Sequence, residues 1–252
     1  MKAKVLSLCI ALLVGVSVWA DDVWNYNVYD DCSKNGYKGG YIIPADVQAV
    51  DLDLPSGIKW ATCNVGAEKP EDYGNYYAWG EVLPKEDYAW GEVLPKEDYS
   101  WETYKYANGD YNKLTKYCNK ESSGDNGFTD SKTTLEPEDD AARVNWGGSW
   151  RMPTHKEWME LIDSCNWTWT TQDGIYGYQI TSKTNSNSIF LPSAGYRYGT
   201  YLYNVGLYGF YWSSSLLENG PYGAWYIYFP SGYLGRNNYN RFFGLSVRPV
   251  CP

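Results

Sequence analysis

The chain of 252 residues is acidic, with 30 aspartates and glutamates against 21 lysines and arginines and a formal charge of −9. Nucleic acids and anionic membrane surfaces both demand a basic footprint, so neither is expected as a partner. A single histidine, and the lack of a nucleophile elbow, a phosphate loop or an HExxH motif, argue against the common catalytic and metal chemistries, and we expect no catalytic residues, metal or cofactor.

The first twenty residues have the organisation of a secretory signal peptide. Lys2 and Lys4 precede an apolar run from Val5 to Val18 that is too short to span a bilayer, and a suitable cleavage site ends at Ala20. We therefore predict an exported protein without a transmembrane segment, located outside the cell, at its surface or in the periplasm. The expected organisation is a signal peptide at 1–20, a linker or N-terminal arm at 21–45 and one ligand-binding domain at 46–252.

Export permits disulfides, and five of the six cysteines remain once the leader is removed. An odd number leaves at least one thiol unpaired or bonded to another molecule. The alternative is that several cysteines stay reduced and pack as small hydrophobic side chains. The predicted pairs are Cys63 with Cys251 and Cys118 with Cys165, which leaves Cys32 in the arm.

The first β signal of the domain runs from Val50 to Gly66, where apolar and polar residues alternate after a turn at Pro55-Ser56-Gly57. An exact tandem repeat follows, because Tyr77 to Asp87 reads YAWGEVLPKED and Tyr88 to Asp98 repeats it letter for letter. Added length in a loop costs little free energy, so we interpret the repeat as a duplication within a loop and assign it no function.

An acidic cluster lies in the polar, turn-rich stretch that comes next. Carboxylates are suitable ligands for calcium, but the EF-hand spacing is absent and acidic clusters are usually solvated. We therefore predict no metal at these residues, which are Glu136, Glu138, Asp139 and Asp140.

About two helices are expected. Asp139 to Asn145 is one candidate, and the other begins with a capping box over Thr154-His155-Lys156-Glu157. His155 falls in the first turn, and we interpret it as an exposed surface residue. The buried stripe predicted for the second helix is Trp158, Leu161, Ile162 and Cys165. From Thr168 onward we expect strands and turns, with strands at 188–192, 211–215 and 244–250.

The C-terminal quarter, 195–250, is rich in Tyr, Phe, Asn, Gly and Ser and carries one acidic residue, Glu218. Large rings among small flexible residues are typical of a recognition surface, although a tyrosine-rich β core is the alternative. Between 224 and 230, strand periodicity separates two sets of side chains. Trp225, Ile227 and Phe229, together with Trp212 and Val247, are expected to hold the scaffold, whereas Tyr226 and Tyr228 are expected to face a ligand.

The predicted binding face gathers the rings of this quarter and a few polar residues between them. Rigid rings would anchor the partner, and Arg236 would pair with an anionic group on it. The predicted ligand-binding residues are Tyr198, Tyr201, Tyr203, Leu207, Tyr208, Phe210, Tyr226, Tyr228, Tyr233, Leu234, Arg236, Asn238, Tyr239, Asn240, Phe242 and Phe243.

Six motifs in order resemble the fibrobacter major paralogous domain family over about Val47 to Cys251. The motifs are LPSGIKWATCNVGA, EDYGNYYAWGE, WGGSWRMPTHKEWMEL, IFLPSAGYRYG, YWSSS and GLSVRPV. The resemblance implies an exported bacterial protein with an α+β, C-type-lectin-like fold, related to that of the formylglycine-generating enzymes. Such a fold has a mostly antiparallel, twisted β core and about two helices.

The resemblance also implies a variable protein, the target of a diversity-generating retroelement that rewrites asparagine codons in a C-terminal stretch. Lys, Gln and Met, which such rewriting cannot produce, are absent from 195–250. The chain lacks the EPN or QPD and WND calcium motifs of sugar-binding lectins and the late cysteine pair of the formylglycine-generating enzymes.

We therefore expect a non-enzymatic protein that binds a protein or glycan on another cell or phage. The alternatives are an enzyme of the formylglycine type or a glycosidase without a recognisable motif, and a self-associating structural or adhesive surface protein.

Overall fold

The computed structural model describes residues 47–85 and 98–252. The predicted signal peptide, the arm with Cys32 and most of the tandem repeat lie outside these residues. The described chain contains two α-helices, α1 (Ala141–Trp146) and α2 (His155–Ser164). Its strands are β1 (Ala49–Asp51), β2 (Lys59–Ala61), β3 (Cys165–Gln172), β4 (Ile175–Ser182), β5 (Ser188–Pro192), β6 (Tyr196–Tyr198), β7 (Tyr201–Tyr203), β8 (Tyr208–Leu216), β9 (Gly223–Pro230), β10 (Gly235–Asn240) and β11 (Val250–Cys251).

The strands form small antiparallel sheets, so the expected α+β class with antiparallel strands and two helices is confirmed. Three sheets have three strands each, in the orders β1-β2-β11, β3-β4-β5 and β10-β9-β8, and β6 pairs with β7 as a hairpin. None of the helices in the described ranges is long and apolar enough to cross a membrane.

Helix α2 follows directly from its local sequence. The Thr154 hydroxyl accepts the Glu157 N–H at 3.2 Å, and the Glu157 carboxylate accepts the Thr154 N–H at 2.7 Å, which confirms the predicted capping box. Trp158 and Leu161 are buried as expected, and Ile162 is half-buried. Cys165 is also buried, but it begins β3 because the helix ends at Ser164.

The β8–β9–β10 sheet has hydrophobic core on both faces. Ile227 and Phe229 pack in one cluster, together with Tyr211 and the α2 residue Trp158. Tyr226 pairs in register with Trp212, and both belong to the other cluster. The expectation that Trp212 shares the supporting side with Ile227 is therefore wrong, because Trp212 lies on the same side as Tyr226.

The segment 244–250 is not the strand that its alternation predicts. Every residue from Arg241 to Val250 is buried, so no exposed face exists. The segment runs through the interior and bonds to several separate partners in turn. The Leu245 carbonyl accepts the Tyr77 N–H, the Val247 carbonyl accepts the Val65 N–H, and the Pro249 carbonyl accepts the Ala61 N–H.

Two fully buried arginines hold this interior segment in place, a role that the sequence pattern did not predict. Arg248 donates from Nε to the Asn64 side chain at 2.8 Å and from its terminal nitrogens to backbone carbonyls of Ala61, Thr62 and Phe190. Burial lowers the pKa of its guanidinium. Arg241 donates to the Tyr104 hydroxyl and to the carbonyls of Lys116, Tyr117 and Pro221. Each side chain ties together segments that are distant in the sequence.

The predicted disulfides are wrong. Cys63, Cys118 and Cys165 are buried free thiols, and burial raises the pKa of each. Cys118 donates to the Lys120 carbonyl at 3.1 Å, whereas Cys165 packs in the cluster around Trp158. Cys251 is disulfide-bonded, and its partner lies outside the described residues.

Candidate functional site

The β6–β7 hairpin presents tyrosines in register across its two strands. Tyr196 lies opposite Tyr203 and Tyr198 opposite Tyr201, and the rings of the first pair stack with centroids 5.5 Å apart. Backbone bonds hold the hairpin to the rest of the protein at β6 and at its turn. Gly199 exchanges two hydrogen bonds of 3.0 Å with Tyr99, and Arg197 exchanges bonds of 2.8 and 3.0 Å with Gly244. The hairpin is therefore a fixed platform.

Rings from this hairpin, from β8, β9 and β10, and from the segments after β9 and β10 form one continuous surface, which we call the aromatic face. Phe243 lies near its centre, with ring centroids 4.0 Å from Tyr239, 4.5 Å from Phe242 and 5.1 Å from Tyr198. Contacts of this kind stabilise a cluster by roughly 0.5–1.5 kcal/mol each beyond area burial. The members are Tyr196, Tyr198, Tyr201, Tyr203, Tyr208, Phe210, Tyr226, Tyr228, Tyr233, Tyr239, Phe242 and Phe243.

The aromatic face has an exposed layer over a buried floor. Tyr201 is 67% exposed and Tyr233 is 55% exposed, and Tyr198, Tyr203 and Leu207 are also open to solvent. Tyr208, Tyr228 and Tyr239 are half-buried. The floor consists of predicted contact residues that are at most 8% exposed, namely Phe210, Tyr226, Phe242 and Phe243. These four support the surface from below instead of lying on it, because neighbouring rings cover them.

Four other predicted residues do not lie on the aromatic face. Arg236 is directly opposite Ile227 in the ladder, and Asn238 is opposite Trp225. Directly opposed residues share a face of the sheet, so both side chains point away from Tyr226 and Tyr228. Asn240 follows the same alternation, and Leu234 packs against the cluster that contains Ile227. Period-two alternation within β10, whose start the sequence did not reveal, separates these residues from the rings.

Tyr196 belongs to the aromatic face although it was not predicted. Its ring contacts Tyr203, Phe210, Tyr239 and Phe243. The signal that could have found it is simple, since residues two positions apart in a strand share a face and Tyr198 was already assigned.

On the opposite side of the sheet, His155 stacks on Trp225 with ring centroids 4.4 Å apart. Both residues are half-buried, so His155 is less exposed than expected and Trp225 is less buried. Burial lowers the pKa of His155, and the positive charge of Arg236 lowers it further. At neutral pH this imidazole is therefore uncharged.

Two buried or half-buried phenols of the aromatic face have raised pKa values. Burial raises the pKa of Tyr226 and raises that of Tyr239 to about 12. Neutral phenols can donate as well as accept hydrogen bonds. The surface therefore combines wide apolar contact with hydroxyl groups of both hydrogen-bonding roles.

The acidic cluster does not form an open cation site. The Lys116 ammonium lies among its carboxylates, 2.5 Å from Asp139 and 2.6 Å from Glu136, with Glu138 at 3.7 Å. Burial opposes ionisation of Asp139, but hydrogen bonds from Lys116 and two tyrosines outweigh it and hold its pKa below the usual range. Asp140 instead caps α1 and accepts the Arg143 N–H at 3.0 Å. The position that a metal would take is filled by Lys116.

The C-terminal part of the chain matches a family model. A family model described as a domain of unknown function (DUF8237) matches residues 177–250, which include every ring of the aromatic face. The match covers less than half of the chain. No curated protein and no solved structure matches the chain significantly.

Proposed function

We propose that the protein is a non-enzymatic binding protein whose aromatic face takes a protein or glycan partner. The observation that carries this proposal is the exposed layer of rings over a rigid aromatic floor. Soluble proteins rarely leave contiguous apolar surface open without a binding role, and interface hot spots are rich in tyrosine. Because the floor is packed and the hairpin is bonded to the rest of the protein at Arg197 and Gly199, little ordering entropy is lost on binding.

The finer parts of the proposal rest on the sequence. The motifs resemble those of exported proteins with a C-type-lectin-like fold, and the observed antiparallel sheets with two helices are compatible with it. The face lies within 195–250, the stretch that a diversity-generating retroelement would rewrite. A rigid floor beneath variable exposed residues would let such a protein change its partner without losing its fold.

The test is binding of the protein to an array of glycans and cell-surface proteins. The key variant changes Tyr198, Tyr201 and Tyr233 to Ser, because these rings are exposed and their loss leaves the floor intact. The matched control changes Tyr111 and Tyr176 to Ser, which are similarly exposed but lie outside the face. We expect a hit that weakens about a hundredfold in the key variant, as for hot-spot residues, and is retained in the control.

A hit kept at full strength by the key variant would contradict the proposal, provided that circular dichroism shows a native fold. Assembly that depends on protein concentration and needs no added ligand would instead favour a self-associating surface protein. Turnover that survives the key variant would favour an enzyme.

A further inference from the structure

Strand β10 is the outer strand of the β10–β9–β8 sheet. Hydrogen bonds made by β9 show which N–H and C=O groups of β10 point outward. The Trp225 carbonyl of β9 accepts the Ser213 hydroxyl at 2.8 Å, and the Gly223 carbonyl accepts the Leu217 N–H at 3.1 Å. Both donors lie on the β8 side. Two directly opposed residues of an antiparallel pair either bond to each other or both turn their N–H and C=O groups away from the partner strand. The β10 residues opposite these two therefore direct their N–H and C=O groups outward.

Those outward residues are Asn238 and Asn240, and strand alternation adds Arg236. Some of their groups are satisfied within β10 or just beyond it, because Asn238 N–H donates to the Asn237 side chain at 2.9 Å and Asn240 C=O accepts the Phe243 N–H at 3.1 Å. Within the described chain, the N–H and C=O of Arg236 and the C=O of Asn238 have no hydrogen-bond partner. The outer edge from Arg236 to Asn238 is thus open for a further strand.

This edge carries few of the devices that commonly block strand addition. Proline and lysine are typical of protected edges, and β10 contains neither in its sequence GRNNYN. Arg236 is its only charged residue. Arg236 and Asn237 are both exposed, so the open backbone groups are accessible.

The two sides of the open edge differ in chemistry. On one side, Asn237 lies opposite Tyr226 and Tyr239 lies opposite Ala224, so both side chains are on the side of the aromatic face. Gly235 has no side chain, and the rings of Tyr228 and Tyr233 come within 2.6 and 2.7 Å of where a Cβ would be, so rings cover that end of the strand. On the other side lies the exposed guanidinium of Arg236, for which no described carboxylate forms an ion pair.

We infer that β10 accepts an extended peptide segment of a protein partner as a fourth strand. The inference rests on the proposed binding role of the aromatic face and names the partner's chemistry. Side chains of an added strand alternate between the two sides of the sheet. Apolar or aromatic residues of the peptide lie against the aromatic face, and an acidic residue at the alternate position pairs with Arg236. Backbone hydrogen bonds hold the segment, and the two sides select its sequence.

The test uses a random linear peptide library displayed on phage and selected on the full protein. Enriched peptides are synthesised, and their dissociation constants are measured with the protein and its variants. We expect peptides in which acidic and apolar residues alternate. Methylation of the backbone nitrogens that face β10 should weaken binding about tenfold or more, whereas methylation of the alternate nitrogens should have little effect.

The protein variants test the same edge. Asn238→Pro removes an outward N–H, together with its hydrogen bond to the Asn237 side chain, and places a ring in the path of the added strand, so binding should fall about tenfold or more. Asn238→Ser keeps the N–H and is the matched control, expected to bind normally. Arg236→Glu should weaken the binding of acidic peptides by a similar factor. If Asn238→Pro does not fold, the methylated peptides still decide the question.

Three results would overturn the inference: no enriched peptide, binding that tolerates methylation at every nitrogen, or full binding by a folded Asn238→Pro. A glycan or protein that needs Tyr198, Tyr201 and Tyr233 but is indifferent to Asn238→Pro would leave the proposed function standing while strand addition fails. If every ligand found binds equally well to the wild type, to the triple variant of Tyr198, Tyr201 and Tyr233 and to Asn238→Pro, both the proposed function and strand addition are wrong.

Discussion

The aromatic face and the core around Trp158 are built from the same kind of side chain but differ in what covers them. In the core, Trp60 and Trp158 have ring centroids 4.5 Å apart and are completely buried beneath α2 and the neighbouring sheets. In the aromatic face, Tyr239 and Phe243 are packed as closely, at 4.0 Å, yet the ring of Tyr198 that stacks on Phe243 is open to solvent. Ring packing alone therefore does not distinguish the two regions, whereas the missing cover layer does.

The largest expected effect comes from emptying the closed core. Trp158→Ala removes a fully buried ring and its 3.1 Å hydrogen bond to the Trp212 carbonyl, so the free energy of unfolding should fall by about 3–5 kcal/mol. Tyr201→Ser, on the open layer, should change it by less than about 0.5 kcal/mol. Urea unfolding of both variants measures the contrast. Equal losses would show that the open rings are structural and would break the comparison.

A smaller effect should follow from a buried charge beside the other core cluster. Burial raises the pKa of Asp140 to about 6, although its carboxylate accepts the N–H groups of Arg143 and Met152. A raised folded-state pKa means that the folded protein binds the proton more tightly than the unfolded chain. The resulting stabilisation is fully present below the unfolded pKa near 3.8 and is lost as the pH rises through about 6.

Asp140→Asn isolates this contribution, because asparagine still caps the helix but does not titrate. The difference in unfolding free energy, wild type minus variant, should decrease between pH 4 and pH 7 by up to about 3 kcal/mol. The asparagine side chain forms a poorer hydrogen bond with the Met152 N–H. This adds a constant to the difference in unfolding free energy, and that constant does not depend on pH. A difference that stays flat with pH would show that Asp140 is solvated in solution.

The smallest effect is expected from removing one copy of the tandem repeat, residues 88–98. The described ends of this loop are close, since Lys85 N–H donates to the Tyr99 hydroxyl at 3.3 Å. In the shortened chain, Asp87 would precede Tyr99 as Asp98 does now. The connection between Lys85 and Tyr99 shortens from thirteen residues to two. Each halving of a loop changes its closure free energy by about 0.6 kcal/mol, so the free energy of unfolding should change by less than about 2 kcal/mol, which the thermal unfolding midpoint measures. Loss of folding, or of binding at the aromatic face, would give the repeat a role.

The sequence by itself determined the features that depend on near neighbours. The capping box of α2 was predictable because its two hydrogen bonds join residues three positions apart. The strand at 188–192 was predictable because turn residues bound a short apolar run, and β5 has these bounds. Alternation also identified which residues of β9 share a face.

Only the tertiary structure decided what lies against those faces. Alternation predicts that Tyr226 and Ile227 point in opposite directions, but not that core covers both of them, since the covering segments are distant in sequence. The guanidinium of Arg248 is buried against the carbonyls of Ala61 and Phe190, which are 187 and 58 residues away, and no local pattern encodes such contacts. For the same reason the cysteine pairing could not be derived, and the separation of Arg236 from the aromatic rings emerged only with the register of β10.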